Sequence, residues 1–244
     1  MRIPLLVVTI LGVSLLAESQ ESDAPAAIAP SAPLDLMADP NFGEFTPFLN
    51  ARRSNAQDWK EVWSITGEGL LHVSGKGWGY LRTNRKYRDY HLVLEYKWGE
   101  HTWPPREDGA RDCGLLVHGF GKDGGFAGSW MNSIEAQLIE GGSGNINVLA
   151  FQNRGEEKAP TSLTAEVKED RNGEPVWTKG GEARVFPPEG KLNARINSRF
   201  RDSNWADVKG FRGPKDNENP VGEWNRMEVI CEGDTIRVLL NGEP

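Results

Sequence analysis

Almost no segment of this 244-residue chain repeats its apolar residues at helical spacing, which excludes a helical bundle. Positive charge is also short, since 28 Lys and Arg stand against 35 Asp and Glu for a net charge of −7. Without a basic excess the chain has no electrostatic footprint for a phosphate backbone, and nucleic-acid binding is set aside. Cysteine is scarce. Cys113 and Cys231 match no zinc spacing, so this pair alone makes no metal site. Each falls at the apolar parity of a candidate strand, which leaves a buried disulfide and two buried free thiols both open in an oxidising compartment. The glycine-rich stretch from Gly119 to Ser133 is followed neither by Gly-Lys-Ser/Thr nor by a helix. It is therefore no phosphate loop, and no nucleotide cofactor is expected.

Long apolar runs are nearly missing too. The exception, Ile3 to Leu16, follows a single positive charge at Arg2 and precedes the small Ala17. Residues 1–17 read as a secretory signal peptide, too short for a membrane span, with an uncleaved anchor as the alternative. No cysteine follows directly, which argues against a lipid anchor. Residues 18–40, rich in Ser, Ala and Pro, read as a disordered spacer. Residues 41–244 remain for one domain, and about 200 residues suffice to bury a two-layer core.

What is present is a succession of short alternating segments bounded by Gly, Asn and Asp, which predicts an all-β sandwich or jelly roll. Candidate strands are Trp63–Thr66, Leu70–Ser74, Tyr80–Thr83, Tyr90–Trp98, Cys113–Gly119, Ser133–Ile139, Ile146–Phe151, Arg226–Glu232 and Thr235–Leu240. Gly67–Gly69 and Gly233–Asp234 supply turns. From Gln152 to Pro220 the pattern weakens, with strands expected only near Pro175–Thr178 and Leu192–Asn197 and long loops expected over the site. Leu240-Asn241-Gly242 is a strand entering a hairpin turn whose return strand is not seen, so a fragment lacking its last strand is expected, with pairing of that edge by another segment as the alternative.

Parity then selects candidate functional residues. In Ser133–Ile139 the apolar Ile134, Ala136 and Leu138 point to one face, and Glu135 and Gln137 to the other. In the preceding strand Cys113, Leu115 and Val117 take the apolar side and His118 the opposite one. In Tyr90–Trp98, Glu95 and Lys97 oppose Leu92, Leu94, Tyr96 and Trp98. If these three strands share a sheet, Glu95, Lys97, His118, Glu135 and Gln137 line one surface. A solvated face with a weak ion pair is the competing reading of Glu95 and Lys97.

The succession GWGYLRT (Gly77 to Thr83), YRDYHLVLEYK (Tyr87 to Lys97), DCGLLVHG (Asp112 to Gly119), SIEAQLIE (Ser133 to Glu140) and GEWNRMEV through LNG (Gly222 to Gly242) resembles a known family. It was first described as domain of unknown function 1080 and is now described as 3-keto-disaccharide hydrolase, or 3-keto-glucoside lyase/hydratase. The resemblance spans roughly Phe45 to Gly242. It implies a concanavalin- or LamG-like jelly-roll sandwich of two antiparallel sheets and, with the leader, an exported bacterial protein, periplasmic or extracellular and free of the membrane after cleavage. Two positions depart from the family's pattern. The strand after Leu240-Asn241-Gly242 is absent, and His118 stands where Arg is more frequent.

The substrate so implied is a 3-keto-glycoside or disaccharide. A C3 ketone acidifies the hydrogen on C2, and its removal lets the group at C1 depart by β-elimination; hydration of the product reverses that logic. His118, with an ordinary pKa of about 6.5, is the expected base. Lys97 would stabilise the enediolate, Glu135 could hold a divalent metal doing the same, and Gln137 and Glu95 suit sugar hydroxyls. Trp130 in the glycine-rich loop could stack on a pyranose, as could Trp103 or Trp205; Trp63, Trp98 and Trp224 read as core. That loop holds too much glycine to be a rigid scaffold.

Two other functions compete. An ordinary retaining glycoside hydrolase would use Glu135 and Glu140, but these fall on opposite parities without a bulge. A non-catalytic sugar-binding module would need only Trp and Gln on a sheet face.

Overall fold

The computed structural model describes residues 26–150 and 161–244. The leader predicted over residues 1–17 and the first part of the spacer lie outside the described residues. From residue 26 the chain runs over the surface, where Ile28 pairs with Tyr87 as an isolated parallel bridge.

The strands in chain order are β1 Phe45–Leu49, β2 Trp63–Ile65, β3 Leu71–Val73, β4 Gly79–Thr83, β5 Tyr90–Tyr96, β6 Asp112–Phe120 and β7 Asn132–Ile139. They continue with β8 Ile146–Leu149, β9 Leu163–Glu169, β10 Pro175–Trp177, β11 Glu182–Phe186, β12 Asn193–Ile196, β13 Asn225–Glu232 and β14 Thr235–Leu240. The pairings are antiparallel, and the molecule is an all-β sandwich of the jelly-roll kind. One main sheet has the order β12-β8-β7-β6, and a second has β14-β13-β5.

The alternation of β7 explains how the two layers meet. Ile134, Ala136 and Leu138, with Val117 of β6, pack against Met227, Val229, Cys231 and Leu240 of the second sheet. β13 is central in its sheet, and Met227 and Val229 are fully buried. Each such side chain contributes about 1.5–3 kcal/mol of burial free energy. β5 joins this same sheet, with Leu92 opposite Val229 and Leu94 opposite Met227, so its apolar side is consumed by the core.

The rest of the main sheet's inner face is covered by β10-β9-β11. Val148 and Ile196 there pack against Val167 and Phe186, and β10 touches the end of β12 through the hydrogen bond from Trp177 N to Asn197 O at 2.9 Å. The stretch expected to be mostly long loops thus holds β9 and β11 as well as the two expected strands. In β11 the charged Glu182 and Arg184 share the parity of buried Phe186, while Val185 on the opposite side is 60% exposed, so an alternation test passed the strand over.

With its inner face covered along its length, the main sheet leaves its outer face open. A separate apolar cluster of Phe42, Ala56, Val62 and Trp63 anchors the β1–β4 and β2–β3 pairs. These pairs hold the glycine-rich loop before β7. Asn50 Nδ2 donates to Gly128 O at 2.8 Å, Arg53 Nη1 to Ala127 O at 3.3 Å, and Tyr80 OH to Asp123 Oδ1 at 2.5 Å. Gly124 sits at φ 69°, and a Cβ there would come within 3.0 Å of Gly128 O. The glycines therefore let the loop fold back on itself, and the hydrogen bonds fix it, against the expectation of a loose loop.

Candidate functional site

Three antiparallel pairings place the outer face of the main sheet. Gly114 lies opposite Gln137 and Leu116 opposite Glu135, Glu135 opposite Asn147, and Asn147 opposite Arg195. Because their neighbours in sequence enter the core, Glu135, Asn147 and Arg195 form a polar row across three strands. Gln137 starts a second row. It donates from Nε2 to Asp112 Oδ1 at 3.3 Å and accepts on Oε1 from Asn145 Nδ2 at 3.4 Å.

A cleft of about 300 Å³ opens on this face, lined by Phe126, Gln137, Asn147, Leu149, Asn193 and Arg195. Glu135 borders it and accepts from Asn147 Nδ2 at 2.7 Å. Gly114 makes room for that carboxylate, because a Cβ at position 114 would stand 2.2 Å from Glu135 Oε1. Burial pushes the Glu135 carboxyl up to about 7, against the Asn147 hydrogen bond and with help from Asp112. Asp112 is pushed up to about 6 by burial, against Arg106 and Gln137. Its side chain keeps 38% exposure, so water offsets part of that rise. Two carboxyls raised above their ordinary range on one face are the setting that acid–base chemistry uses.

A larger cavity of about 390 Å³ lies beside Glu140, Arg212, Asp216 and Glu218, but its charges are already engaged. Arg111 Nη1 grips both oxygens of Glu140 at 2.8 Å. Glu218 accepts from Gly141 N, Ser143 Oγ, Tyr96 OH and Trp98 Nε1, and Asp216 holds Arg212 at 2.5 Å. This is a latch that fixes the turn between β7 and β8. Glu140, fully buried in it, does not share a face with Glu135, as a pair of glycosidase carboxylates must.

The structure brings together Glu135 and Gln137 and separates Glu95 and Lys97 from them. β5 pairs with β13 and not with β6, so its polar side points away on the far side of the sandwich. There Glu95 is 66% exposed and meets Arg226 at 3.7 Å, while Lys97 lies 4.9 Å over Trp224. Trp224, read as core, is 46% exposed. His118 occupies a bulge between the pairs Val117↔Ile134 and Phe120↔Asn132. It is exposed, with φ 53°, and the alternation that would extend the polar row breaks at that point. Trp130 packs edge-on against Trp78 at 5.4 Å, with Arg53 at 6.0 Å and Phe126 at 6.4 Å. Trp130 does not line the cleft, whereas its neighbour Phe126 does. Cys113 and Cys231 are both free, Cys113 exposed and Cys231 buried. Their being free overturns the disulfide, and the exposure of Cys113 overturns the expectation of two buried thiols.

Asn147, Asp112, Arg195 and Phe126 were missed from the sequence. Asn147 was legible, since it alternates with Ile146 and Val148, and Asp112 shares the parity of Gly114. Arg195 and Phe126 gave no local signal. Among the described residues no three His, Cys, Asp or Glu side chains gather to hold a metal ion. Glu135 has one neighbouring carboxylate and otherwise neutral amides, a thin set for the divalent ion expected there.

A family model described as the 3-keto-alpha-glucoside-1,2-lyase-like domain matches residues 44–244. No curated protein and no solved structure matches the chain.

Proposed function

The chain belongs to the 3-keto-alpha-glucoside-1,2-lyase-like family, and from that premise we propose that it is an exported enzyme that cleaves 3-keto-glycosides by elimination, with Glu135 as the base. The observation that carries this reading is a half-buried carboxyl, tuned to about 7, that borders an amide-lined cleft and, among the described residues, has no cation paired with it. A base works best when its pKa lies near the working pH.

Glu135 takes the proton from C2, and the C2–H electrons form a C2=C3 enediolate whose charge sits on the C3 oxygen. The enediolate then re-forms the ketone while a C1=C2 double bond forms and the bond from C1 to the leaving oxygen breaks. The proton held by Glu135 passes to that oxygen. Hydration runs the other way, with water oxygen joining C1 and a proton returning to C2. Asn147, Gln137 and Asn193 offer donors and acceptors for sugar hydroxyls. Glu135 replaces His118 in the role of base because its position in the polar row is fixed by pairing on both sides.

The test is incubation of the wild type and Glu135→Gln with 3-keto-trehalose and with trehalose, following glucose and 2-hydroxy-3-keto-glucal. Only the keto sugar should be consumed, with a rate that rises through pH 7 as Glu135 loses its proton. Glu135→Gln should lower that rate by about 10²–10⁴-fold. Saturable binding without turnover would instead mark a sugar-binding module, and turnover of trehalose itself an ordinary glycosidase.

A further inference from the structure

Among the described residues, one cation close enough to feel the cleft-lining Arg195 has no carboxylate paired with it. Arg201 follows β12 and lies with its guanidinium 4.0 Å over the ring of Trp205. Trp205 is a fixed platform. Its Nε1 donates to Glu140 O at 3.0 Å, and its ring packs where a Cβ on Gly142 would stand 3.3 Å away. The backbone leading to Arg201 is also fixed, because Ser198 N donates to Asn145 Oδ1 at 2.8 Å, and Asn145 is the partner of Gln137.

The carboxylates around Arg201 are engaged elsewhere. Glu174 accepts on Oε1 from Arg195 Nη2 at 2.9 Å and on Oε2 from Asn197 Nδ2 at 2.7 Å. Asp170 accepts on Oδ1 from the backbone of Asn172 and Glu174 at 2.8 and 3.0 Å. Arg195, which lines the cleft, adds a repelling positive charge. Burial first, and Arg195 second, hold the Arg201 guanidinium down to about 10. Asp170 and Glu174 oppose that shift without cancelling it. Among the described residues Arg201 has no carboxylate within ion-pair distance.

A stacked, half-buried guanidinium with its fork free is built for planar, two-point recognition of oxyanions. We propose that Arg201, seconded by Arg195, forms an anion subsite at the edge of the sugar cleft, and that the natural glycoside carries a carboxylate or sulfate. The proposal rests on the reading of this cleft as a sugar site. It does not require the elimination chemistry. The anion could sit on the sugar or on its leaving group, and the two cases call for different probes.

Calorimetric titration of the whole protein tests it with sugars not oxidised at C3: phenyl glucoside against 4-carboxyphenyl glucoside, and methyl glucoside against methyl glucuronide. One anionic probe should bind about tenfold tighter than its neutral counterpart, the effect of one charge-assisted pair. Added salt should erase the difference. Arg201→Gln should bring that probe down to the neutral affinity, and Arg201→Lys, which keeps the charge but loses the fork, should retain part of the preference. Equal affinities in the wild type, a preference that survives in Arg201→Gln, or no binding of any probe would overturn it. A wild type that binds these sugars but turns over no keto sugar would sink the elimination reading and leave this one standing.

Discussion

The outer faces of the two sheets read alike in sequence and differ in chemistry. On β5 and β13 the charges find each other in the open. Glu228 meets His91 at 2.6 Å and Arg226 at 3.1 Å, and Arg226 reaches Glu95 at 3.7 Å. Arg226 and His91 accordingly hold the Glu228 carboxyl below its ordinary range. On β6, β7, β8 and β12 the carboxyl of Glu135 has an amide for a partner and little water, and its pKa rises to about 7. A polar row becomes reactive when its charges are half-buried and unpaired; a paired, hydrated row only keeps the surface soluble.

The strongest way to break that comparison is to exchange one carboxyl for an amide on each face. Glu135→Gln should cost about 10²–10⁴-fold in turnover, whereas Glu95→Gln should leave turnover as it is, and a keto-sugar assay compares them directly. A second test uses stability against pH. Glu135 holds its proton more tightly in the folded chain than in the unfolded one, so the folded state binds more protons. Stability therefore falls as pH climbs from the unfolded value of 4.5 to the folded value of about 7, by about 1–3 kcal/mol in total. Glu135→Gln lacks this loss. Its melting temperature should gain on the wild type between pH 5 and pH 8, and an unchanging gap would show that the carboxyl is not buried.

Gly114→Ala comes next, because its methyl group would meet Glu135 Oε1 at 2.2 Å. Overpacking there should cost about 1–3 kcal/mol and displace the base, lowering turnover along with the urea midpoint. The smallest effect belongs to Glu95→Ala on the other face, with a change of about 0.5 kcal/mol or less in chemical denaturation. A larger loss would mean that the paired face does more than hold water.

The sequence carried the β7 face in full, because Ile134, Ala136 and Leu138 alternate with Glu135 and Gln137 and only one register buries the apolar set. It carried the same kind of signal in β5 and misled there, since alternation tells which residues share a side of a strand but not which strand lies alongside. Asn147 was readable by the rule that found Glu135. Phe126 and Arg201 were not, because loop residues owe their positions to contacts distant in sequence, such as Asn50 with Gly128 and Ser198 with Asn145.

By itself, then, the sequence determined the strand class of the fold, the inward and outward residues of its strongest strands and the family, all of which rest on local period and residue order. Only the tertiary structure decided that β5 crosses to the second sheet, that Glu140 is locked to Arg111 and that Arg201 stands, among the described residues, without a paired carboxylate. These depend on desolvation and on which charges meet across the chain, and neither quantity exists until the layers have closed.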